Sequence, residues 1–537
     1  MSRSIEWAGQ KLLLSFDGVE PSPEILIALK SHSVAGVTLY RALNIQNPPQ
    51  VRALTAALQR AAAQAGQPLL LIATDQEGGQ LMAVGEGATP FPGNMALGAT
   101  RSEDLARRAG EAIGRELAAM GINVNYAPVC DVLADPHNPA VGVRSFGGDP
   151  FLVAQMGVAL IEGLQSAGVA ATAKHFPGLG DTAVDSHFAT PVVPHDMERL
   201  RRVEFPPFEA AVRAGVKLVM AGHIALPAVS GPRGGLSDAQ QQTGNPELPA
   251  TFSSPILRGL LRQELGFEGV TTSDALDMGP IEQGSWFVID AIAAAAAGLD
   301  LLLFGPTTRG WEAVAAGLAQ AARRGLLSAA DLEASARRVL ALKRWLAGYE
   351  QPQLEVVGCT EHQALALEIA RQAVTLTRDA DGLLPLHLKS EERLLVVLPK
   401  PADLTPADTS SYLNLSLAEY MRPYHAAIDE LIIPIDPSEA EIAAVHGQAS
   451  SCAQVIVGTI NALDHPGQAA LIHMLQESGV PIAVAALRAP FDLLCFPAVP
   501  TYICTYSIQP PALRALAEAL LGRIPFRGVL PVSIPGV

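Results

Sequence analysis

The run Lys174-His175-Phe176-Pro177-Gly178-Leu179-Gly180-Asp181-Thr182-Ala183-Val184-Asp185-Ser186-His187 places one lysine, two histidines and two aspartates within fourteen residues. Ionisable groups at this density are costly to bury and add little to packing. They make sense where a reaction needs charge and proton transfer. Asp185 and His187 lie two residues apart. A carboxylate beside an imidazole fixes its tautomer and raises its basicity, so the pair can give and take a proton near neutral pH. A turn in which Asp185 caps its own backbone would use the same residues. Asp274, in Ser273-Asp274-Ala275-Leu276, follows an apolar run. It is placed to act as a nucleophile or as an electrostatic stabiliser.

Such groups need a frame that brings them together. An apolar stretch, GVAATA, leads directly into the 174–187 loop. It is one of eight short apolar runs: 12–16, 34–40, 69–74, 122–126, 169–173, 216–220, 269–272 and 299–304. Segments of helical period lie between them, at 49–65, 102–120, 151–167, 198–214, 254–265 and 288–297. Eight strands alternating with helices predict an α/β fold, a (β/α)8 barrel over residues 1–347. The runs are apolar throughout, as parallel strands buried on both faces are. A further helix at 329–345, with Ser328 as its N-cap, is expected to close the barrel on the outside. The strands end in Asp17, Arg41, Asp75, Asp131, Lys174 with His175, His223 and Asp274. A barrel gathers these ends on one rim, where such enzymes keep their chemistry. An Asp after a strand is often a helix N-cap. Capping does not account for Lys174, His175 and His223 in the same places.

Beyond Trp345, residues 348–392 read as a linker, and residues 393–537 as a smaller α/β sandwich domain. Its apolar runs at 394–398, 454–460, 482–487 and 502–506 predict a parallel sheet. It carries no glycine-rich phosphate loop, and Asp464 and His465 are expected to be ordinary loop residues.

Composition narrows the function. The net charge is −16 with no basic stripe, which argues against nucleic acid and anionic membrane surfaces as partners. Five scattered cysteines without a CxxC pair imply neither a disulfide framework nor a zinc site. No uncharged apolar window reaches about 18 residues, and residues 1–10 lack a signal-peptide core, so a cytoplasmic protein is expected. The Asp and His residues show no metal-ligand spacing such as HExxH, and no cofactor is implied.

Four segments resemble glycoside hydrolase family 3: KHFPGLGDTAVDSHFATP (174–191), GVTTSDALDMG (269–279), DQEGG (75–79) and VGVRSFG (141–147). The likeness is to its bacterial β-N-acetylglucosaminidase branch and spans the whole expected barrel. Segments 373–386 and 528–536 are similar to the family's second domain. The resemblance implies Asp274 as nucleophile and Asp185 with His187 as the acid/base pair. It implies Asp75, Arg144, Lys174 and His175 as sugar-binding residues, with Asp131 and His223 added from the rim. Two positions depart from the pattern. Gln80, Leu81, Met82 and Ala83 follow DQEGG where arginine is usual, and Leu179 stands where a polar histidine is usual.

These roles imply a carbohydrate substrate and a retaining, exo-acting hydrolysis of terminal β-linked N-acetylglucosamine, from cell-wall fragments or chito-oligosaccharides. Asp274 would form a glycosyl-enzyme, and His187 would protonate the leaving oxygen and then activate water. Imidazole is neutral as a base and repels an anionic acceptor less than a carboxylate would, so a phosphorylase on the same scaffold is an alternative. A non-catalytic sugar-binding homologue is another, and a Schiff-base aldolase using Lys174 is a third.

Overall fold

In the computed structural model, residues 7–230, 248–281, 284–306 and 310–536 are described. Eight parallel strands form the first sheet: β1 (Leu12–Leu14), β2 (Gly36–Thr38), β3 (Leu71–Thr74), β4 (Val124–Asn125), β5 (Ala170–Phe176), β6 (Leu218–Ala221), β7 (Val270–Ser273) and β8 (Leu302–Leu303). Each pairs with its sequence neighbour from β1 to β7, and β8 returns to β1 through Leu12 opposite Leu302. A parallel bridge between Thr272 and Leu301 closes the ring. This is the expected (β/α)8 barrel.

The predominantly apolar strands follow from burial on two sides. Leu13, Ala35, Leu71, Val124, Tyr126, Leu218, Met220 and Leu303 pack together inside the barrel. Their neighbours Leu12, Leu14, Val37, Ile72 and Val219 belong to the larger cluster shared with the surrounding helices. The helices start where the sequence supplies caps. Asn47 accepts from the Gln50 N–H ahead of Pro48–Gln64, Ser102 from Leu105 ahead of Glu103–Ala119, and Asp149 from Phe151 ahead of Pro150–Ser166.

One helix lies elsewhere than expected. Ala329–Leu346 runs across the N-terminal ends of the strands instead of joining the outer ring. Its Val339, Leu342 and Leu346 pack into the barrel-interior cluster. Lys11, just before β1, donates from Nζ to Ser335 Oγ at 2.9 Å. Arg338 forms a two-pronged pair with Asp300, just before β8, at 3.0 and 2.7 Å. An open barrel base would leave inward-facing leucines wet, and this apolar stripe covers them.

The second sheet has six strands: β9 (Thr375–Asp379), β10 (Leu394–Pro399), β11 (Ile428–Ile433), β12 (Gln454–Thr459), β13 (Ile482–Ala486) and β14 (Thr501–Cys504). Their order is β9-β14-β13-β12-β10-β11, parallel except for β9, which pairs antiparallel with β14. Residues 348–392, expected as a linker, therefore contribute helix Thr360–Ala373 and an edge strand. Among the described residues no helix is long and apolar enough to cross a membrane.

The two sheets are joined by specific contacts above the barrel rim. Gln80 accepts at its carbonyl from the Thr409 N–H at 2.8 Å, and its Nε2 donates to the Ala407 carbonyl at 3.1 Å. Gln509 donates to the Gly79 carbonyl at 2.6 Å. The buried Arg488 pairs with Asp408 at 2.7 Å and also reaches Gln80. Segment 75–84 thus connects the end of β3 with the second domain.

Candidate active site

A cavity of about 490 Å³ opens at the C-terminal ends of the barrel strands. Asp75, Arg144, Lys174, His175, His187 and Asp274 line it. β5 itself carries Lys174 and His175, and the loops after β3, β5 and β7 bring Asp75, His187 and Asp274. Arg144 comes from the 3-10 turn Gly142–Arg144. Asp131, Asp185 and His223 do not line the cavity; each stands behind a residue that does.

One wall is an ionic quartet. Lys174 Nζ lies 2.7 Å from Asp75 Oδ1 and 2.6 Å from Glu77 Oε1. Arg144 grips Glu77 with both prongs, at 2.9 and 2.8 Å. Lys174 and Glu77 side chains are 2% exposed and that of Asp75 is 25%, so Asp75 is the member open to a ligand. Burial alone would raise the Glu77 pKa, but Arg144 and Lys174 bring it down to about 2. Burial likewise opposes charge on Lys174, yet Asp75 and Glu77 leave its pKa raised. All four groups are charged, and the sum is neutral. Two buried cations need two counter-charges. Glu77 lay within the DQEGG segment, and that counting rule is the signal that could have singled it out.

Asp131 is fully buried behind His175. It accepts from His175 Nδ1 at 2.7 Å, from the His175 N–H at 3.2 Å and from the Leu179 N–H at 2.7 Å. One carboxylate thereby sets both the ring and the loop backbone. A carboxylate acceptor assigns the proton to Nδ1 and leaves Nε2 to the cavity. Leu179 is buried and lines the cavity, so its backbone and its bulk both serve the site.

His223 sits beneath the loop after β7. Its Nε2 is 3.0 Å from the Ala275 carbonyl and its Nδ1 is 2.6 Å from Thr251 Oγ1. Burial lowers its pKa, and the ring holds the backbone next to Asp274. Asp274 Oδ1 accepts from the Ala275 N–H at 2.8 Å. Burial pushes the Asp274 pKa up, but His175, His223 and His187 pull it below the ordinary value. Asp274 is therefore an anion held at the cavity wall.

His187 also lines the cavity, and its Nδ1 lies 2.6 Å from Asp185 Oδ1. The Asp185 side chain is 8% exposed and that of His187 is 19%. Burial would raise the Asp185 pKa, but the bonds from His187 leave it lowered, so this carboxylate can only accept. The Gly279 N–H donates to the His187 carbonyl at 2.9 Å and ties this loop to the one carrying Asp274. The arrangement offers an anionic carboxylate, an imidazole paired with a carboxylate and a charge-balanced ionic cluster around one space.

Among the described residues, Asp181, His195 and Glu204 lie close enough to share an ion. Arg199 already sits among them, 2.9 Å from Asp181 and 3.3 Å from Glu204. Asp464 lies away from the main cavity, beside Arg488 and Asp492 at a small interdomain recess.

A closed (β/α)8 barrel carries this rim, backed by a second α/β domain. The model of the glycosyl hydrolase family 3 N-terminal domain matches residues 9–342. The chain belongs to glycoside hydrolase family 3. It is 32% identical to beta-hexosaminidase A of Pseudoalteromonas piscicida, over 98% of this chain and 96% of that protein. It is 32% identical to a beta-N-acetylglucosaminidase/beta-glucosidase of Cellulomonas fimi, over 86% and 83% of the two chains. The solved structure of a family 3 beta-N-acetylglucosaminidase from Paenibacillus sp. str. FPU-7 superposes with a TM-score of 0.89, at 37% identity and 98% coverage of both chains.

Proposed function

We propose that the protein is a retaining exo-β-N-acetylglucosaminidase acting on cell-wall fragments or chito-oligosaccharides. The observation that carries the reading is one cavity lined by both Asp274 and His187, with Asp185 hydrogen-bonded to His187 from behind. The similarity to the beta-N-acetylglucosaminidase from Paenibacillus supports N-acetylglucosamine as the sugar, and the similarity to the beta-hexosaminidase of Pseudoalteromonas piscicida supports the hexosaminide class.

The Ala275 N–H holds one Asp274 oxygen, which leaves the other free to attack the anomeric carbon. The bond to the leaving oxygen breaks as His187 gives it the Nε2 proton, and a glycosyl ester remains on Asp274. Neutral His187 then takes a proton from water, whose oxygen displaces Asp274 from the anomeric carbon. Two inversions retain configuration. Asp185 stabilises the charged imidazole in the first step and holds its tautomer in the second. Asp75, Lys174, Arg144 and His175 hold the terminal sugar, donors and acceptor together matching its hydroxyls.

The test is a panel of p-nitrophenyl glycosides, with the anomer of the first product read by NMR. Release of β-N-acetylglucosamine supports the reading. Inverted product, or no preference for the N-acetylglucosaminide, overturns it. Adding phosphate to the same assay separates hydrolysis from phosphorolysis, which would yield the sugar 1-phosphate.

A further inference from the structure

The barrel supplies only part of the cavity wall. Asp403, Ala407, Thr409 and Tyr412 of the second domain line the same space. Facing them is Arg41, just past β2, which also lines it. Its Nη1 donates to the Met82 carbonyl at 3.0 Å. Its guanidinium carbon lies 4.0 Å from the centre of the Tyr412 ring, a cation–π contact. Among the described residues no other protein acceptor takes its remaining N–H groups, and the half-buried guanidinium borders the cavity.

Gly85 makes this position available. A Cβ at residue 85 would fall 2.4 to 2.7 Å from the Arg41 guanidinium. Gly85 is not among the glycines with positive φ, so the backbone there does not demand glycine. The space is what the arginine uses. The same segment passes beside Asp75, because the Ala83 N–H donates to the Asp75 carbonyl at 3.0 Å. Arg41 therefore lies along the wall that holds Asp75 and Ala83.

We propose that Arg41, pinned by Tyr412 of the second domain, binds hydroxyl oxygens of the terminal sugar, so that the second domain forms part of the substrate site. This rests on the reading of the cavity as a terminal-sugar pocket. A planar guanidinium with free donors matches a pair of neighbouring hydroxyls, which a lysine does not. The arginine belongs to the barrel, and Tyr412 of the second domain stacks against its plane.

Steady-state kinetics on p-nitrophenyl β-N-acetylglucosaminide, with circular dichroism as a fold control, test this. Arg41→Ala should lower kcat/KM about 10- to 100-fold, mainly through KM. Arg41→Lys should recover only part of it. Tyr412→Ala removes an exposed ring and Gly85→Ala displaces the guanidinium; each should raise KM in the same direction, by about 3- to 10-fold. Adding Ala83→Arg to Arg41→Ala should restore part of the lost affinity. Values within twofold of wild type for both Arg41→Ala and Tyr412→Ala, in folded proteins, would overturn the proposal. A wild type that cleaves a different β-glycoside overturns the functional reading instead, and the same variants compared on that glycoside still decide the role of Arg41.

Discussion

His187 and Asp185 are joined twice: Asp185 Oδ1 accepts from the ring Nδ1 at 2.6 Å and from the His187 backbone N–H at 2.8 Å. The second bond fixes the distance between the two residues whatever the rest of the loop does. The first orients the ring, with Nε2 as the nitrogen free for proton transfer.

Loss of His187 should therefore hurt substrates according to their leaving groups. His187→Ala should slow cleavage of a natural disaccharide by about 10²- to 10⁴-fold, since that alcohol needs a proton. A dinitrophenyl glycoside should form the glycosyl-enzyme at a nearly unchanged rate. Asp185→Ala should show the same pattern more mildly, and azide should partly rescue His187→Ala. Equal losses on both substrates would mean that His187 shapes the loop and the acid lies elsewhere.

Asp274 is expected to become covalently labelled. A 2-fluoro sugar with a good leaving group should form a stable ester, located by peptide mass spectrometry. Asp274→Asn should retain its fold and lose at least about 10³-fold in turnover. Because the Asp274 pKa lies below the ordinary value, its ionisation should not limit activity between pH 5 and 8. A label on another residue refutes the assignment.

Glu77 should dominate the acid stability of the barrel rim. Its folded pKa of about 2 lies below the ordinary 4.5, so the stabilisation is full above pH 4.5 and is lost as pH falls toward 2. The gap corresponds to about 3 kcal/mol. Glu77→Gln leaves Lys174 and Arg144 under-compensated and should cost about 3–5 kcal/mol at neutral pH. Thermal unfolding followed from pH 6 to pH 3 should show a shallower decline in the variant. Parallel curves for the two proteins would show that Glu77 carries no such linkage.

Asp131 is expected to act through His175 and the loop. Asp131→Asn keeps the shape but turns an N–H toward groups that themselves donate. Activity should fall about 10- to 100-fold with far-UV circular dichroism unchanged. The crystal structure of the variant should show a rotated His175 ring. An unmoved ring with full activity would remove Asp131 from the positioning network.

Much of the fold was legible because its strands are buried on both faces. Such strands are predominantly apolar, so runs like 12–16 and 169–173 stand out without any partner in view. The ionisable residues that follow them, Asp75, Lys174, His175, His223 and Asp274, were legible for the complementary reason: nothing in packing calls for them. The helix at 329–346 was misplaced because its apolar stripe fits an outer groove and a barrel base equally well. Strand β9 was missed because an edge strand is only half covered and its residues, Thr375 to Asp379, are mostly polar.

The sequence alone determined which chemistry-bearing residues exist and which strand each follows, since local pattern and covalent order carry that information. Tertiary structure decided their division of labour. It set Glu77 between Arg144 and Lys174, put Asp131 and His223 behind the cavity, and laid Arg41 under Tyr412, 371 positions later in the chain. Charge balance, burial and contact between distant segments are properties of the folded space, and no spacing along the chain encodes them.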